Sequence, residues 1–132
     1  MKKSVAVKTM LLTISLLLIS WGALRAVTAQ LVQPLEVSVT NYPNPFDSRS
    51  ESTTILFSLA QESQVRIFIY DLLGNLVRQF PSMIEEAGTA SLVWDGTNEA
   101  REKVAKGGYL VLVVANSESG TVQAIRKVGV LH

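Results

Sequence analysis

Residues 65–75 carry the sequence Val-Arg-Ile-Phe-Ile-Tyr-Asp-Leu-Leu-Gly-Asn, and this stretch decides the fold class. Val65, Ile67 and Ile69 stand at every second position, which is the period of a β-strand with one face in a core. Residues 71–75 then supply an aspartate, a glycine and an asparagine, residue types that favour a tight turn. An alternating strand that ends in such a turn predicts antiparallel β-structure at this point.

The two-residue period recurs in short runs throughout the chain after residue 30. Seven strands are predicted, over residues 36–40, 53–59, 65–70, 76–80, 90–94, 109–116 and 121–131. Turn-forming sequences separate them, among them a four-residue hairpin loop at 117–120. Seven short strands at this spacing predict an all-β, antiparallel β-sandwich. Residues 81–88 and 97–106 show no clear period, and a turn of helix over 98–104 is an open alternative.

The first 29 residues differ in composition from the rest of the chain. Three lysines within the first eight residues precede an uncharged, leucine-rich stretch at 9–24, and small residues precede Gln30. This layout predicts a helical secretory signal peptide over residues 1–29, with cleavage between Ala29 and Gln30. A retained membrane anchor is the alternative, which Arg25 close to the cleavage site supports.

The length of the apolar stretch favours cleavage over anchoring. Its 16 residues rise about 24 Å as a helix, whereas the hydrocarbon core of a bilayer is about 30 Å thick. The predicted organisation is therefore a signal peptide at 1–29, a short linker at 30–35 and a β-sandwich domain at 36–132. Export follows from it, to the medium, the periplasm or the cell surface.

Charge and composition exclude several functional classes. The whole chain carries 12 basic and 11 acidic side chains, a net charge of +1, and removal of residues 1–29 leaves 8 basic against 11 acidic groups. A mature net charge of −3 argues against nucleic-acid binding, which needs a basic excess. The chain has no cysteine and one histidine, the terminal His132, which excludes disulfides, thiolate metal sites and a Ser-His-Asp arrangement.

No other group of residues predicts a catalytic or cofactor site. Residues 95–99 (Asp-Gly-Thr-Asn-Glu) are rich in oxygen ligands but lack the ligand spacing of an EF-hand calcium loop, so a solvated turn is favoured. No pattern places Asp47, Asp71 or Asp95 in a pair suited to acid–base catalysis. The prediction is a non-enzymatic protein with no cofactor, no metal and no small-molecule substrate.

Six short motifs follow one another along the chain. They are Tyr-Pro-Asn-Pro-Phe at 42–46, Ser-Thr-Thr-Ile at 52–55, Ile-Tyr-Asp-Leu-Leu-Gly at 69–74, Trp-Asp-Gly at 94–96, Gly-Tyr at 108–109 and Arg-Lys-Val-Gly-Val-Leu at 126–131. In this set the chain resembles the immunoglobulin-like domain shared by flagellar hook-capping proteins and by the type A C-terminal sorting domains of type IX secretion cargo. The resemblance covers residues 36–132. It implies a seven-stranded antiparallel immunoglobulin-like (fibronectin III-like) β-sandwich, in agreement with the strand count.

The motif residues are expected to be structural. They are Tyr42, Pro43, Asn44, Pro45, Phe46, Tyr70, Asp71, Gly74, Trp94, Asp95, Gly96, Gly108 and Tyr109. We expect Tyr42 and Phe46 to pack over one end of the core, and the Asp71 carboxylate to accept hydrogen bonds from backbone N–H groups of its turn. Trp94 shares a strand face with two apolar residues, so it is expected to be the largest core side chain.

Two positions depart from the family pattern. Phe68 and Leu112 stand where relatives usually carry a charged or polar residue. If their strands are neighbours, as the resemblance implies, five side chains gather on one outer face as a candidate partner face: Phe68, Tyr70, Leu110, Leu112 and Val114. The alternative is that residues 31–35 or 83–84 cover this face. A second departure lies at 98–102, where relatives usually carry a further glycine.

Three functions are compatible with these features. The favoured one is a free-standing exported module that binds a protein partner or a second copy at the cell surface or envelope, through the apolar face or a sheet edge. The alternative is a type IX sorting or anchoring domain without a passenger, recognised by the outer-membrane secretion machinery. It is less favoured because only residues 30–35 would precede the domain after cleavage. A hook-capping scaffold is the remote alternative, because that role needs an additional N-terminal region.

Overall fold

Eight β-strands make up the part of the chain that the computed structural model describes, residues 36–132. They are β1 Val37–Tyr42, β2 Thr53–Leu59, β3 Ser63–Asp71, β4 Leu76–Gln79, β5 Met83–Glu85, β6 Gly88–Trp94, β7 Gly107–Ser117 and β8 Gly120–Val130. The predicted signal peptide at 1–29 and linker at 30–35 lie outside the described residues. Within 36–132 there is no helix of the length and apolar character needed to cross a bilayer.

The strands form two antiparallel sheets whose inner faces share one core. Sheet A has the order β1-β2-β6, and sheet B has the order β4-β3-β7-β8, with β5 pairing with β3 beside β4. Consecutive register positions run without a break along β2–β6 and along β3–β7. The all-β immunoglobulin-like sandwich is confirmed, with one strand more than the seven that the sequence predicted.

The additional strand, β5, is too short to show a period in the sequence. Its three residues pair with the first part of β3, Met83 opposite Val65, while β4 pairs with the last part of the same strand. Pro81 lies between the two short strands, and proline cannot donate to a sheet ladder. The edge of sheet B is therefore divided into two pieces where the sequence predicts one strand and a loop.

The core is built from the inward-facing residues of both sheets and from two residues outside the strands, Phe46 and Phe80. Its buried members are Phe46, Ile55, Phe57, Leu59, Val65, Ile67, Ile69, Phe80, Trp94, Tyr109, Val111, Val113, Ala115, Val128 and Val130. Trp94 is the largest fully buried side chain, as predicted. Its ring meets the edges of Phe46 and Tyr109 at centroid distances of 5.7 and 5.6 Å. The indole N–H donates to the carbonyl oxygen of Thr97 at 3.0 Å, so the buried polar atom is satisfied.

Candidate protein-interaction surface

The Tyr-Pro-Asn-Pro-Phe loop packs through Phe46 and not through Tyr42. Phe46 is fully buried against Trp94, as expected, but the Tyr42 side chain is 78% exposed, so the prediction that it covers the core is wrong. The reason is the alternation of β1, which turns Asn41 inward and Tyr42 outward. Asn41 is 5% exposed and donates to the Thr53 hydroxyl at 2.9 Å.

Asn44, at the centre of the same loop, holds the last strand of sheet B. Its side-chain oxygen accepts from the Gly129 N–H at 2.9 Å, and its side-chain nitrogen donates to the Lys127 carbonyl at 2.9 Å and to Asn41 Oδ1 at 3.1 Å. Pro45 packs so close to Gly129 that a Cβ there would lie 2.9 Å from the proline ring. The loop thus fastens β8 at a point more than 80 residues away in sequence.

Two further motif segments make local turns and contacts. Asp71 accepts from the N–H groups of Leu73 and Asn75 at 2.9 Å and from the Asn75 side chain at 2.8 Å, as expected. These hydrogen bonds, that of the Asn75 side chain first, lower the pKa of Asp71. Gly74 takes the positive φ, +89°, that the turn requires. Tyr109 is buried beside Trp94 and donates its hydroxyl to the Ala105 carbonyl at 2.5 Å.

The Trp-Asp-Gly motif ends in a loop joined to β4 by an ion pair. Arg78 donates to Asp95 Oδ1 at 2.9 Å, and the same oxygen accepts from the Thr97 hydroxyl at 2.6 Å. Burial raises the pKa of Asp95, but the hydrogen bonds from Thr97 and the charges of Arg78 and Lys103 outweigh it and lower that pKa overall. Gly96 is enclosed: at φ +73° an added Cβ would lie 2.6 Å from the Ser48 Cβ.

The acidic side chains of these segments accept hydrogen bonds from nearby backbone N–H groups. Within 36–132 no three acidic or histidine side chains group as metal ligands would. Asp71 and Glu99 line an open depression of about 430 Å³ beside Tyr109. The Asp71 carboxylate is engaged by its own turn, and Glu99 accepts from the backbone N–H of Gln79. Both carboxylates therefore accept hydrogen bonds from the backbone that borders the depression.

The loop at 98–102 contains a backbone conformation that favours glycine. It is a closed turn and not a helix: the Asn98 N–H donates to the Glu102 carbonyl at 2.9 Å, and the Glu102 N–H donates to the Asn98 side chain at 3.0 Å. Arg101 has φ +64°, the left-handed region. Within residues 36–132, the other residues with a positive φ are all glycines.

The five residues of the candidate partner face lie together on the outer side of sheet B. The register of β3 and β7 places Phe68 directly opposite Leu112 and Tyr70 opposite Leu110, with Arg66 opposite Val114. Directly opposed residues of an antiparallel pair project from the same side, and the alternate residues of both strands fill the core. The structure therefore brings together all five predicted residues.

Exposure varies across this partner face. Phe68, Tyr70, Leu110 and Leu112 are partly exposed, whereas Val114 is 9% exposed although it is outside the core cluster. The rings of Phe68 and Tyr70 lie 6.2 Å apart. The face is thus a continuous apolar surface with its aromatic residues side by side.

Sequence reasoning missed Leu76 of β4, which stands opposite Tyr70 on this surface and is 50% exposed. It also missed Ile125 of β8. Ile125 stands directly opposite Leu112, so Phe68, Leu112 and Ile125 form a row across three strands. Its side chain is 60% exposed, more than any other residue of the row. The position of Ile125 could have been predicted from the hairpin loop at 117–120. Counting residue pairs outward from this loop along the two strands places residue 125 opposite residue 112.

Met83, one of the residues that the sequence suggested as a cover for this face, does not lie on it. Its register with Val65 turns it toward the core, against which it packs. Ile84 is on the outer side, opposite Gln64, and is 74% exposed. Residues 31–35, the other suggested cover, lie outside the described part of the chain.

The charged residues next to this surface are basic. Arg66 places its guanidinium carbon 6.0 Å from the centre of the Phe68 ring, and Lys127 stands opposite Leu110. Both are exposed. An apolar centre with a positive rim therefore occupies the outer side of a domain whose described part is acidic overall.

Comparison with known proteins places the fold in a family. The family model of the FlgD Ig-like domain matches residues 44–119, while no curated protein matches. Among solved structures, dimeric latent PorU from Porphyromonas gingivalis is 26% identical over 76% of this chain, with a TM-score of 0.62. FlgD from P. aeruginosa is 19% identical over 76% of this chain, with a TM-score of 0.56. PorZ of P. gingivalis, a surface component of the type IX secretion system, is 21% identical over 72% of this chain, with a TM-score of 0.50.

This chain spans only a small part of the length of PorU and PorZ. The matched region is 10% of PorU, 12% of PorZ and 75% of FlgD. The likenesses to FlgD and PorZ show a shared fold, because their identities are below 25%. The family model itself covers more than half of this chain, from Asn44 in the Pro-Asn-Pro loop to the β7–β8 hairpin. The chain belongs to the FlgD Ig-like domain family.

Proposed function

We propose that this chain is a non-enzymatic, exported module that binds a protein partner through the outer face of sheet B. The observation that supports it most is the apolar row of Phe68, Leu112 and Ile125, continuous across three hydrogen-bonded strands. A contiguous apolar surface on a small domain marks a contact site, since water is displaced from it on binding. Its two neighbouring aromatic residues are of the kind that anchor interfaces.

The charges around the surface indicate the kind of partner. Arg66 and Lys127 border the apolar residues, and no acidic residue stands among the paired outward positions of β3, β7 and β8. A partner surface with an apolar centre and acidic rim fits this arrangement. Rim charges chiefly affect the rate of association and its salt dependence, so binding is expected to weaken as ionic strength rises.

A type IX sorting or anchoring domain is the second candidate. The likeness to PorU, at 26% identity and a TM-score of 0.62, favours it over the hook-capping role, for which the FlgD structures give a shared fold. In this case the partner would be the outer-membrane secretion machinery. Both candidate functions require a protein contact, and we propose the outer face of sheet B for either of them.

Export and its consequences can be measured in the producing cell. The full-length chain is followed by cell fractionation and intact mass. We expect a chain of residues 30–132, cleaved between Ala29 and Gln30, in the periplasm, at the surface or in the medium. Removal of the sandwich domain after export would identify it as a processed sorting signal. A chain that retains Met1 would contradict cleavage.

The contact itself is tested with Leu112→Lys. This change places a charge at the centre of the row without altering the core, so the domain should fold while the native complex loses its partner. Leu73→Lys is the matched control, because Leu73 is 89% exposed at the tip of a turn. For both variants we would measure the mass of the native complex in the cell extract and the thermal melt of the purified protein.

Loss of the partner in Leu112→Lys, with a normal melt and an unchanged control, supports the proposal. An unfolded Leu112→Lys domain would mean that Leu112 is needed for the fold and not for binding. An unchanged complex would exclude this face as the contact surface.

A further inference from the structure

Within residues 36–132, no strand pairs with the outer edge of β6, which is the free edge of sheet A. β6 pairs with β2 alone, in a register that runs from Gly88 to Trp94 without a bulge. Every second residue of such an edge points its N–H and C=O away from the neighbouring strand. Within the described residues, none of these backbone groups is hydrogen-bonded outside the β2–β6 ladder.

β6 also lacks the features that usually prevent an edge strand from pairing. Its sequence, Gly-Thr-Ala-Ser-Leu-Val-Trp, has no charge and no proline. The other edges differ: β4 carries Arg78, β5 carries Glu85, β8 carries Arg126 and Lys127, and β1 lies against β8 of the other sheet. β6 is thus the open and uncharged edge of the described domain.

The sequence of β6 is complementary to itself. If a second copy lies antiparallel with a two-fold axis at Ser91, Ala90 of one copy stands opposite Leu92 of the other, and Thr89 stands opposite Val93. A small side chain then meets a large one on each side of the axis, and no like charges meet. Ala90 and Leu92 are partly exposed at the rim of the core, and an added strand would cover them.

We propose that two copies of this chain pair through β6, antiparallel and around a two-fold axis at Ser91. The two A sheets then form one sheet of six strands, joined by about six to eight backbone hydrogen bonds. This contact is separate from the partner face on sheet B, so both can be occupied together. We assign a second copy to this edge because β6, paired antiparallel with itself, places complementary side chains opposite each other.

Cysteine substitution tests the register, since the chain has no cysteine of its own. Ser91→Cys places two thiols directly opposite each other across the axis, with Cβ atoms about 4.5–5.5 Å apart, close to disulfide geometry. Thr89→Cys is the matched control on the same strand and face. Its two thiols would be four residues apart along the ladder, or about 13 Å, too far to join. Both positions are exposed.

The protein is purified after export from cells that carry the full coding sequence and is then mildly oxidised. We expect Ser91→Cys to form the disulfide-linked dimer at least about tenfold faster than Thr89→Cys, given the difference in separation. Equal rates for the two variants would overturn the proposal. Linkage of Ser91→Cys to a different protein in the cell, and not to itself, would also overturn it and identify that protein as the occupant.

Ser91→Lys gives an independent readout by sedimentation. Two ammonium groups would face each other at the axis, and the dimer dissociation constant should rise about tenfold. The unsubstituted protein is expected to sediment as a dimer at about 100 μM, and a monomer at that concentration would contradict the proposal. Where Ser91→Lys shows no cooperative melt, the cysteine comparison decides.

Discussion

Replacing Asn44 with alanine tests how the Tyr-Pro-Asn-Pro-Phe loop holds the last strand. The change removes three hydrogen bonds, with Gly129, Lys127 and Asn41, of 2.9, 2.9 and 3.1 Å. A hydrogen bond contributes about 0.5–1.5 kcal/mol net, and the two that reach β8 are solvent-exposed, which puts them in the lower half of that range. The expected loss in the free energy of unfolding is therefore about 2 kcal/mol.

For a domain of this size, that loss corresponds to a fall in Tm of about 8–16 °C, measured by thermal and urea denaturation followed by circular dichroism. Asn44→Asp should also be destabilising, because a carboxylate cannot donate to the Lys127 carbonyl or to Asn41, although it can still accept from the Gly129 N–H. Asn116→Ala is the control: its exposed side chain accepts one hydrogen bond, from Thr121, and its loss should cost less than about 0.5 kcal/mol. If Asn44→Ala left the free energy of unfolding unchanged, the hydrogen bonds of this loop would not stabilise β8, and the reasoning would be refuted.

Two further predictions concern the backbone of one loop and the titration of two turn carboxylates. At φ +64° a β-branched residue is strongly disfavoured, so Arg101→Val should lower the free energy of unfolding by about 1 kcal/mol, whereas Arg101→Gly should not lower it. Urea denaturation of both variants measures the difference. Equal free energies of unfolding would contradict the proposed backbone strain at Arg101. The pKa of Asp47 is lowered from 3.8 to about 2, chiefly by its hydrogen bond with Arg49, and the pKa of Asp71 is also lowered. The contribution of these two carboxylates to stability should therefore be constant above about pH 5 and be lost between about pH 4 and pH 2. In thermal melts from pH 2 to 6, the Tm of Asp71→Asn should fall less on acidification than that of the unsubstituted protein, because the amide does not titrate. An equal fall in Tm would contradict Asp71 as a source of acid sensitivity.

Much of the sandwich could be predicted because strand alternation is a local signal. Residues 65–75 alone give the inward face of β3 and its turn, and both are found as predicted. The exposure of Tyr42 was within reach too: extending the alternation of Val37 and Val39 by one step turns Asn41 inward and Tyr42 outward. Aromatic residue type alone does not predict burial, because the position of a residue in the strand alternation decides to which face it points.

The partner face was largely predictable for the same reason. Alternation in β3 and β7 places Phe68 and Leu112 outward, and the structure pairs them directly. Ile125 required one more step, because its neighbour is fixed by the register of a hairpin and not by its own sequence. Counting from the loop at 117–120 would have found it.

Other features could not be predicted from one sequence. The three hydrogen bonds of Asn44 join positions brought together by the complete fold, since Lys127 and Gly129 are more than 80 residues away. Arg101 takes a conformation that its residue type disfavours, and the surrounding turn imposes it. β5 is three residues long, too few to establish a period.

The central claim, that the outer face of sheet B is covered by a protein partner in the cell, can be measured directly by thiol labelling. Ile125→Cys and Leu73→Cys each introduce the only cysteine of the chain, at side chains that are 60% and 89% exposed. Maleimide labelling rates are compared between intact producing cells and the purified protein. We predict that position 125 is protected in cells and reactive after purification, while position 73 reacts equally in both. A position 125 that reacts as fast in cells as in the purified protein would contradict the account.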